Sequence, residues 1–165
     1  MHMIRIALAL ALALGLTACS SSKFRSYDGP EVTSVQVQKS ARKMYLLHGD
    51  QVLESYDVAL GFAPQGAKQF EGDGRTPEGS YVINRRKPDS DYYLSLGISY
   101  PNDADRAAAL AAGQSPGGDI FIHGRSRWKG RNNGDWTAGC IAVKDREIEL
   151  IYAMVNDGTR IDILP

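Results

Sequence analysis

Residues Lys43–Leu60 read KMYLLHGDQVLESYDVAL. Apolar and polar side chains alternate on both sides of His48-Gly49-Asp50, so the stretch predicts two strands joined by a turn. Upstream, VTSVQVQKS places Val35 and Val37 on one strand face. Downstream, GFAPQGAKQFEGDGRTPEGSY is rich in Gly and Pro and predicts loops and turns. SYVINRRK returns to strand character. YYLSLGISY alternates, with Leu94, Leu96 and Ile98 on one face and Tyr93, Ser95, Gly97 and Ser99 on the other. NDADRAAALAAG has a capping residue, an acidic first turn and a terminal glycine, which predicts a short helix over Asp103–Ala112. DIFIHG reads as a short strand ending at His123. KDREIELIYAMVNDG spaces Ile148, Ile151, Tyr152 and Val155 as one helical face, with Gly158 as the stop. TRIDILP closes the chain as a strand. The expectation is a mainly β domain, mixed sheet or sandwich, with two short helices.

The N-terminus reads as an address. MHMIR carries one cation, and an apolar run from Ile6 to Leu16 follows. The run is short for a membrane span and suits the h-region of a signal segment. It ends in LTAC, residues 16–19, which resembles a bacterial lipobox. The resemblance implies cleavage after residue 18 and lipidation of Cys19. Ser20 follows the cysteine, which points to the periplasmic face of the outer membrane. Residues 19–30 are then the lipidated cysteine and a flexible tether, and residues 31–165 form one catalytic domain.

The whole chain holds 19 Lys and Arg against 19 Asp and Glu. Removing residues 1–18 takes away Arg5 alone, leaving 18 cations against 19 acids, or −1. That balance gives no electrostatic reason for nucleic-acid binding. The chain has two cysteines. With Cys19 lipidated, Cys140 has no intramolecular disulfide partner. An unpaired thiol in an oxidising compartment is either buried and inert or put to use.

Its surroundings decide between the two. His123 ends IFIHG, and Cys140 lies in TAGCIAV, seventeen residues later. The intervening RSRWKGRNNGDW is polar, contains glycine and can return the chain so that the two side chains meet. A thiol beside an imidazole suits nucleophilic acyl chemistry. The ring raises the thiolate fraction and can later protonate a leaving amine. Gly139 allows close backbone approach, and N–H groups near Gly139 and Cys140 can face an oxyanion. Outside the signal segment, with Cys19 lipidated, only His48, His123 and Cys140 offer His or Cys ligands, too few for the usual zinc sites, and no metal is expected.

IHG and TAGCIAV together resemble the signature of the YkuD-type L,D-transpeptidase catalytic domain. GDGRTPEGSYVI (Gly72–Ile83), SLGISYPN (Ser95–Asn102) and PGGDIFIHG (Pro116–Gly124) fit the same family in the same order. The likeness runs from about Val35 to Pro165. It implies that Cys140 is the nucleophile, that His123 is its base and that the Gly124 carbonyl orients the ring. It places Thr137 and Gly139 in the signature. Trp136, Thr137, Ala138, Gly139 and Arg125 become candidate substrate or oxyanion residues. It implies a reaction on peptidoglycan stem peptides through a thioester, without metal or organic cofactor; a monomer is expected. Many members carry an arginine two residues after the cysteine, where this chain has Ala142. That departure keeps a hydrolase of the L,D-carboxypeptidase or endopeptidase type open. A non-catalytic peptidoglycan-binding lipoprotein is the remaining alternative.

Other features have two readings each. Arg125, Arg127, Lys129 and Arg131 form either a lip for substrate carboxylates or a solvated loop. Trp128 and Trp136 flank that run, with Trp136 read as packing beneath the site. His48 is read as an exposed turn residue, and Gly72–Pro77 as a turn in which Arg75 serves structure.

Overall fold

The computed structural model describes residues 22–125 and 134–165. The signal segment and Cys19 lie outside the described residues, as do Arg127, Trp128, Lys129 and Arg131. The strands are β1 (Ser34–Gln38), β2 (Lys43–His48), β3 (Gln51–Asp57), β4 (Gly79–Ser90), β5 (Tyr93–Ile98), β6 (Phe121–His123), β7 (Ile141–Ala142) and β8 (Arg160–Leu164). The helices are α1 (Asp103–Ala111) and α2 (Asp145–Met154). The eight strands form one mixed sheet in the order β3-β2-β1-β8-β4-β5-β6-β7. β1 with β8 and β6 with β7 are the parallel pairs.

The β2–β3 hairpin turns at Gly49, whose φ of 56° lies in the left-handed region that glycine enters freely. Val35, Val37, Met44, Leu46, Ile161 and Ile163 face one core with Tyr81 and Ile83. β4 joins the two halves of the sheet. Its first residues pair with β8, and its later ones pair with β5. The β4–β5 register slips between Ile83 and Arg85, so Ile83 opposes Ile98 while Arg85 opposes Gly97. Such a bulge re-aims the side chains that follow it.

α1 starts where its cap predicts. The Asn102 side chain accepts from Asp105 N–H at 3.0 Å, and the Asp105 carboxylate accepts from Asn102 N–H at 2.9 Å. α2 ends earlier than its sequence pattern, at Met154 rather than at the Gly158 stop. Val155 is already extended, because Gly158 N–H and Thr159 O are taken by Ile83 O and Ile83 N–H. Arg86 donates to Tyr152 O and Val155 O at the helix end and stacks on the Tyr152 ring. α2 packs over β5 and β6.

The expected tether over Ser20–Gly29 has no helix or strand where it is described, yet it is not free. Lys23 Nζ donates to Pro88 O at 2.7 Å, Arg25 pairs with Glu149 at 2.7 Å and Tyr27 packs on the core. The segment is thus laid along β4, β5 and α2 from Lys23 onward.

Candidate active site

β6 delivers His123 and the start of β7 delivers Cys140. The parallel register pairs Ile122 with Ile141 and His123 with Ala142. One residue back, Phe121 is level with Cys140. His123 is 2% exposed and Cys140 is half-buried. Both line one cavity of about 540 Å³, with Arg85, Lys87, Tyr92, Ser95, Asp119 and Phe121 among its walls.

His123 Nδ1 lies 2.6 Å from Gly124 O. A carbonyl only accepts, so Nδ1 carries the hydrogen and Nε2 is left with its lone pair. Tyr92 stacks on the imidazole with centroids 4.4 Å apart, and Trp136 meets it edge-on at 5.8 Å. Burial pushes His123 below the ordinary imidazole range, partly opposed by its bond to Gly124. The Cys140 thiol donates to Asp119 O at 3.5 Å. Burial pushes this thiol up and the Asp119 carboxylate adds to the rise, while the Phe121 N–H and the Lys68 ammonium pull the other way. Both directions favour the neutral forms, a thiol and an imidazole.

The cysteine loop is clamped from two sides. Trp136 N–H and Thr137 N–H both donate to Leu60 O at 3.1 Å, and Phe62 N–H donates to Thr137 O at 2.8 Å. The Asp135 carboxylate accepts from the Arg42 guanidinium at 2.8 Å and from Leu60 N–H at 2.8 Å. Gly139 has a φ of 134°, and a Cβ there would stand 2.7 Å from Arg75 O. Only glycine fits. Arg75 itself is held by its N–H to Asp73, whose carboxylate also takes buried Lys68. Thr137 Oγ1 donates to Cys140 O at 2.6 Å and accepts from Gly139 N–H at 3.2 Å. In this structure the loop uses the Gly139 N–H, one of the expected oxyanion donors, internally.

Gly124 is also sterically required. A Cβ there would lie 2.6 Å from the Asp145 carboxylate and 3.0 Å from Tyr92 O. The Asp145 carboxylate accepts from Arg125 N–H at 2.7 Å, tying the turn after His123 to α2. Arg125 lines a different cavity of about 330 Å³ with Arg42, Asp135 and Lys144. It is not among the residues that line the His123–Cys140 groove. Ala138 is exposed and lines a third cavity, of about 410 Å³, which also reaches Cys140. Ala142 is buried opposite Ala59 and beside His123. His48 is exposed, with Nδ1 2.8 Å from Glu31 O.

Sequence reasoning missed Asp119, Tyr92, Arg85 and Lys87. Alternation in DIFIHG puts residues 119, 121 and 123 on one face, a signal that could have found Asp119. No local signal marks Arg85 or Lys87, because the bulge after Ile83 decides their face.

The YkuD, L,D-transpeptidase catalytic domain, family model matches residues 33–163. YafK of Escherichia coli (strain K12) is 32% identical over 128 residues, covering 74% of this chain and 46% of that protein. A mutant of the helical cell shape determining protein Pgp2 from Campylobacter jejuni superposes with a TM-score of 0.64 at 25% identity, covering 83% of this chain and 48% of that one. The L,D-transpeptidase from Mycobacterium smegmatis shares the fold, with a TM-score of 0.55 at 14% identity over 81% of this chain and 59% of its own. The chain spans about half the length of YafK and Pgp2.

Proposed function

The chain belongs to the L,D-transpeptidase catalytic domain family, and we propose that it is a cysteine-dependent L,D-transpeptidase acting on peptidoglycan stem peptides. The observation that carries the reading is the Nδ1 bond from His123 to Gly124 O, which leaves Nε2 as a base in the cavity that holds the Cys140 thiol.

The reaction follows from the two neutral groups. The thiol leaves Asp119 O and passes its proton to His123 Nε2 as sulfur attacks the carbonyl of the third, diamino-acid residue. A C–S bond forms. The C–N bond to the fourth residue breaks, and the imidazolium proton goes to the departing amine, which leaves as D-alanine. The Ala138 and Cys140 N–H groups are the proposed oxyanion donors. An amine on a second chain then attacks the thioester and loses its proton to His123. The C–S bond breaks, and the proton returns to the sulfur.

Residues 1–18 are proposed as a signal peptide, with Cys19 as a lipid anchor holding the domain at the periplasmic face of the outer membrane. Among the described residues no helix is long and apolar enough to cross a membrane. The cell-shape name of Pgp2 fits such an envelope role.

A hydrolytic outcome, with water resolving the thioester, is favoured by one observation. Position 142 is a buried alanine and puts no guanidinium beside His123. Mass spectrometry of digested sacculi, treated with residues 20–165 or the Cys140→Ala variant, tests the reading. New isopeptides with loss of D-alanine support transfer. Trimmed peptides alone support hydrolysis. No Cys140-dependent change overturns both and leaves a peptidoglycan-binding protein.

A further inference from the structure

The groove carries a charged feature that the acyl chemistry leaves unused. β4 and β5 pair Arg85 with Gly97 and Lys87 with Ser95. β5 and β6 pair Gly97 with Phe121 and Ser95 with His123. Directly paired residues share a sheet face, so Arg85, Gly97 and Phe121 form one row, and Lys87, Ser95 and His123 form the next. Cys140 stands level with Phe121 at the end of the first row.

Arg85 begins three strands from the sulfur, but its side chain crosses most of that distance. It lies over Gly97, where a Cβ would meet Arg85 Cβ at 3.0 Å and Nε at 3.1 Å. Its guanidinium stacks on Phe121, 4.6 Å from the ring centroid. One strand spacing, about 4.8 Å, separates Phe121 from Cys140. The guanidinium pairs with Asp119 at 2.8 Å, and that carboxylate side chain is 80% exposed. An exposed pair of this kind is held weakly and exchanges readily. The carbonyl of the same Asp119 accepts from the Cys140 thiol.

The imidazole sets the direction of the substrate. His123 must protonate the amine that departs, so the departing residue lies on the His123 side of the sulfur. His123 and Arg85 line the same cavity, whereas the cavity beside Ala138 has neither. One residue advances a chain by about 3.8 Å, which carries it most of the way from Cys140 to Phe121.

We propose that Arg85 is the specificity residue of the groove. Its guanidinium exchanges Asp119 for the free α-carboxylate of the residue being expelled. The enzyme is thereby confined to peptides that end one residue beyond the attacked carbonyl. The inference rests on the stem-peptide reading above. Arg85 suits the role better than Lys87 because it is pre-positioned by stacking and presents a planar fork to a carboxylate.

The test compares release of D-alanine from a stem tetrapeptide with release of D-alaninamide from its C-terminal amide. Wild type should favour the acid about tenfold or more in kcat/KM. Arg85→Gln should lose about that factor on the acid, stay within about twofold on the amide, and so abolish the preference. Lys87→Gln should keep the preference. Asp119→Asn, which tolerates the left-handed φ of 54°, should lower KM for the acid. An unchanged acid-to-amide ratio in Arg85→Gln overturns the proposal, as does an equal loss in Lys87→Gln. If wild type consumes neither peptide, the stem-peptide reading fails separately. D-alanine and D-alaninamide are then titrated into Cys140→Ala with and without Arg85→Gln, following the Gly97 and Phe121 amides by NMR. Acid-selective binding that needs Arg85 upholds the carboxylate site, and binding that ignores Arg85 overturns it.

Discussion

The β1–β2–β8 half of the sheet and the β5–β6–β7 half use the same pairing rules for different ends. In β1 and β2 burial alternates strictly, with Val35, Val37, Met44 and Leu46 inside and their neighbours partly exposed. β5 is covered on both faces. Leu94, Leu96 and Ile98 belong to the core, over which α2 packs, while Ser95 on the groove face is only 2% exposed. Loops bring Asp119 and Cys140 to that second face, where both line the groove with Ser95. A face covered by a helix is closed. A face covered by loops can be both enclosed and open to a substrate, which is where a reactive thiol is useful.

The largest expected effect falls on the loop-covered half alone. Cys140→Ala should reduce turnover by about 10³-fold or more while leaving the thermal midpoint within about 2 °C of wild type. A coupled loss of stability would make Cys140 a core residue and erase the contrast. Next in size, Ile161→Ala in β8 should cost about 2–5 kcal/mol in urea unfolding and leave kcat of the folded fraction unchanged. Gly139→Ala should do both. Forcing a Cβ against Arg75 O at positive φ costs about 2 kcal/mol, and kcat should fall with it because the Cys140 loop shifts.

The smallest effect is a pH dependence. Burial holds His123 below the ordinary imidazole range. The unfolded chain therefore takes up a proton here as pH falls through about 6.5, while the folded chain refuses it until lower pH. This contribution to stability is whole above that range, declines as pH falls through it and stops declining below the folded value. The urea midpoint should drop more between pH 7.5 and 5.5 in wild type than in His123→Asn. Activity should keep its neutral base below pH 6.5 for the same reason.

Much of the fold was legible because its signals are local. Alternation in VTSVQVQKS and KMYLLHGDQVLESYDVAL identifies β1, β2 and β3, and the Asn102 cap starts α1 at Asp103 as expected. The pairing of His123 with Cys140 in one cavity was anticipated from two motifs and the polar loop between them. The misreadings have one origin. The end of α2 was set by Ile83, some seventy residues away, and not by Gly158. The tether was pinned by Pro88 and Glu149.

By itself, then, the sequence determined the β-rich class, most element boundaries and the choice of His123 and Cys140 as the candidate pair, because periodicity, caps and short motifs act over a few residues. Tertiary structure alone decided which face Arg85 and Lys87 take, what Gly139 N–H bonds to, and that Asp119 meets both a guanidinium and the Cys140 thiol. Each of these depends on a strand register or a close approach between distant segments. A one-residue slip in a β ladder reverses every side chain beyond it, and no local window of sequence records where that slip occurs.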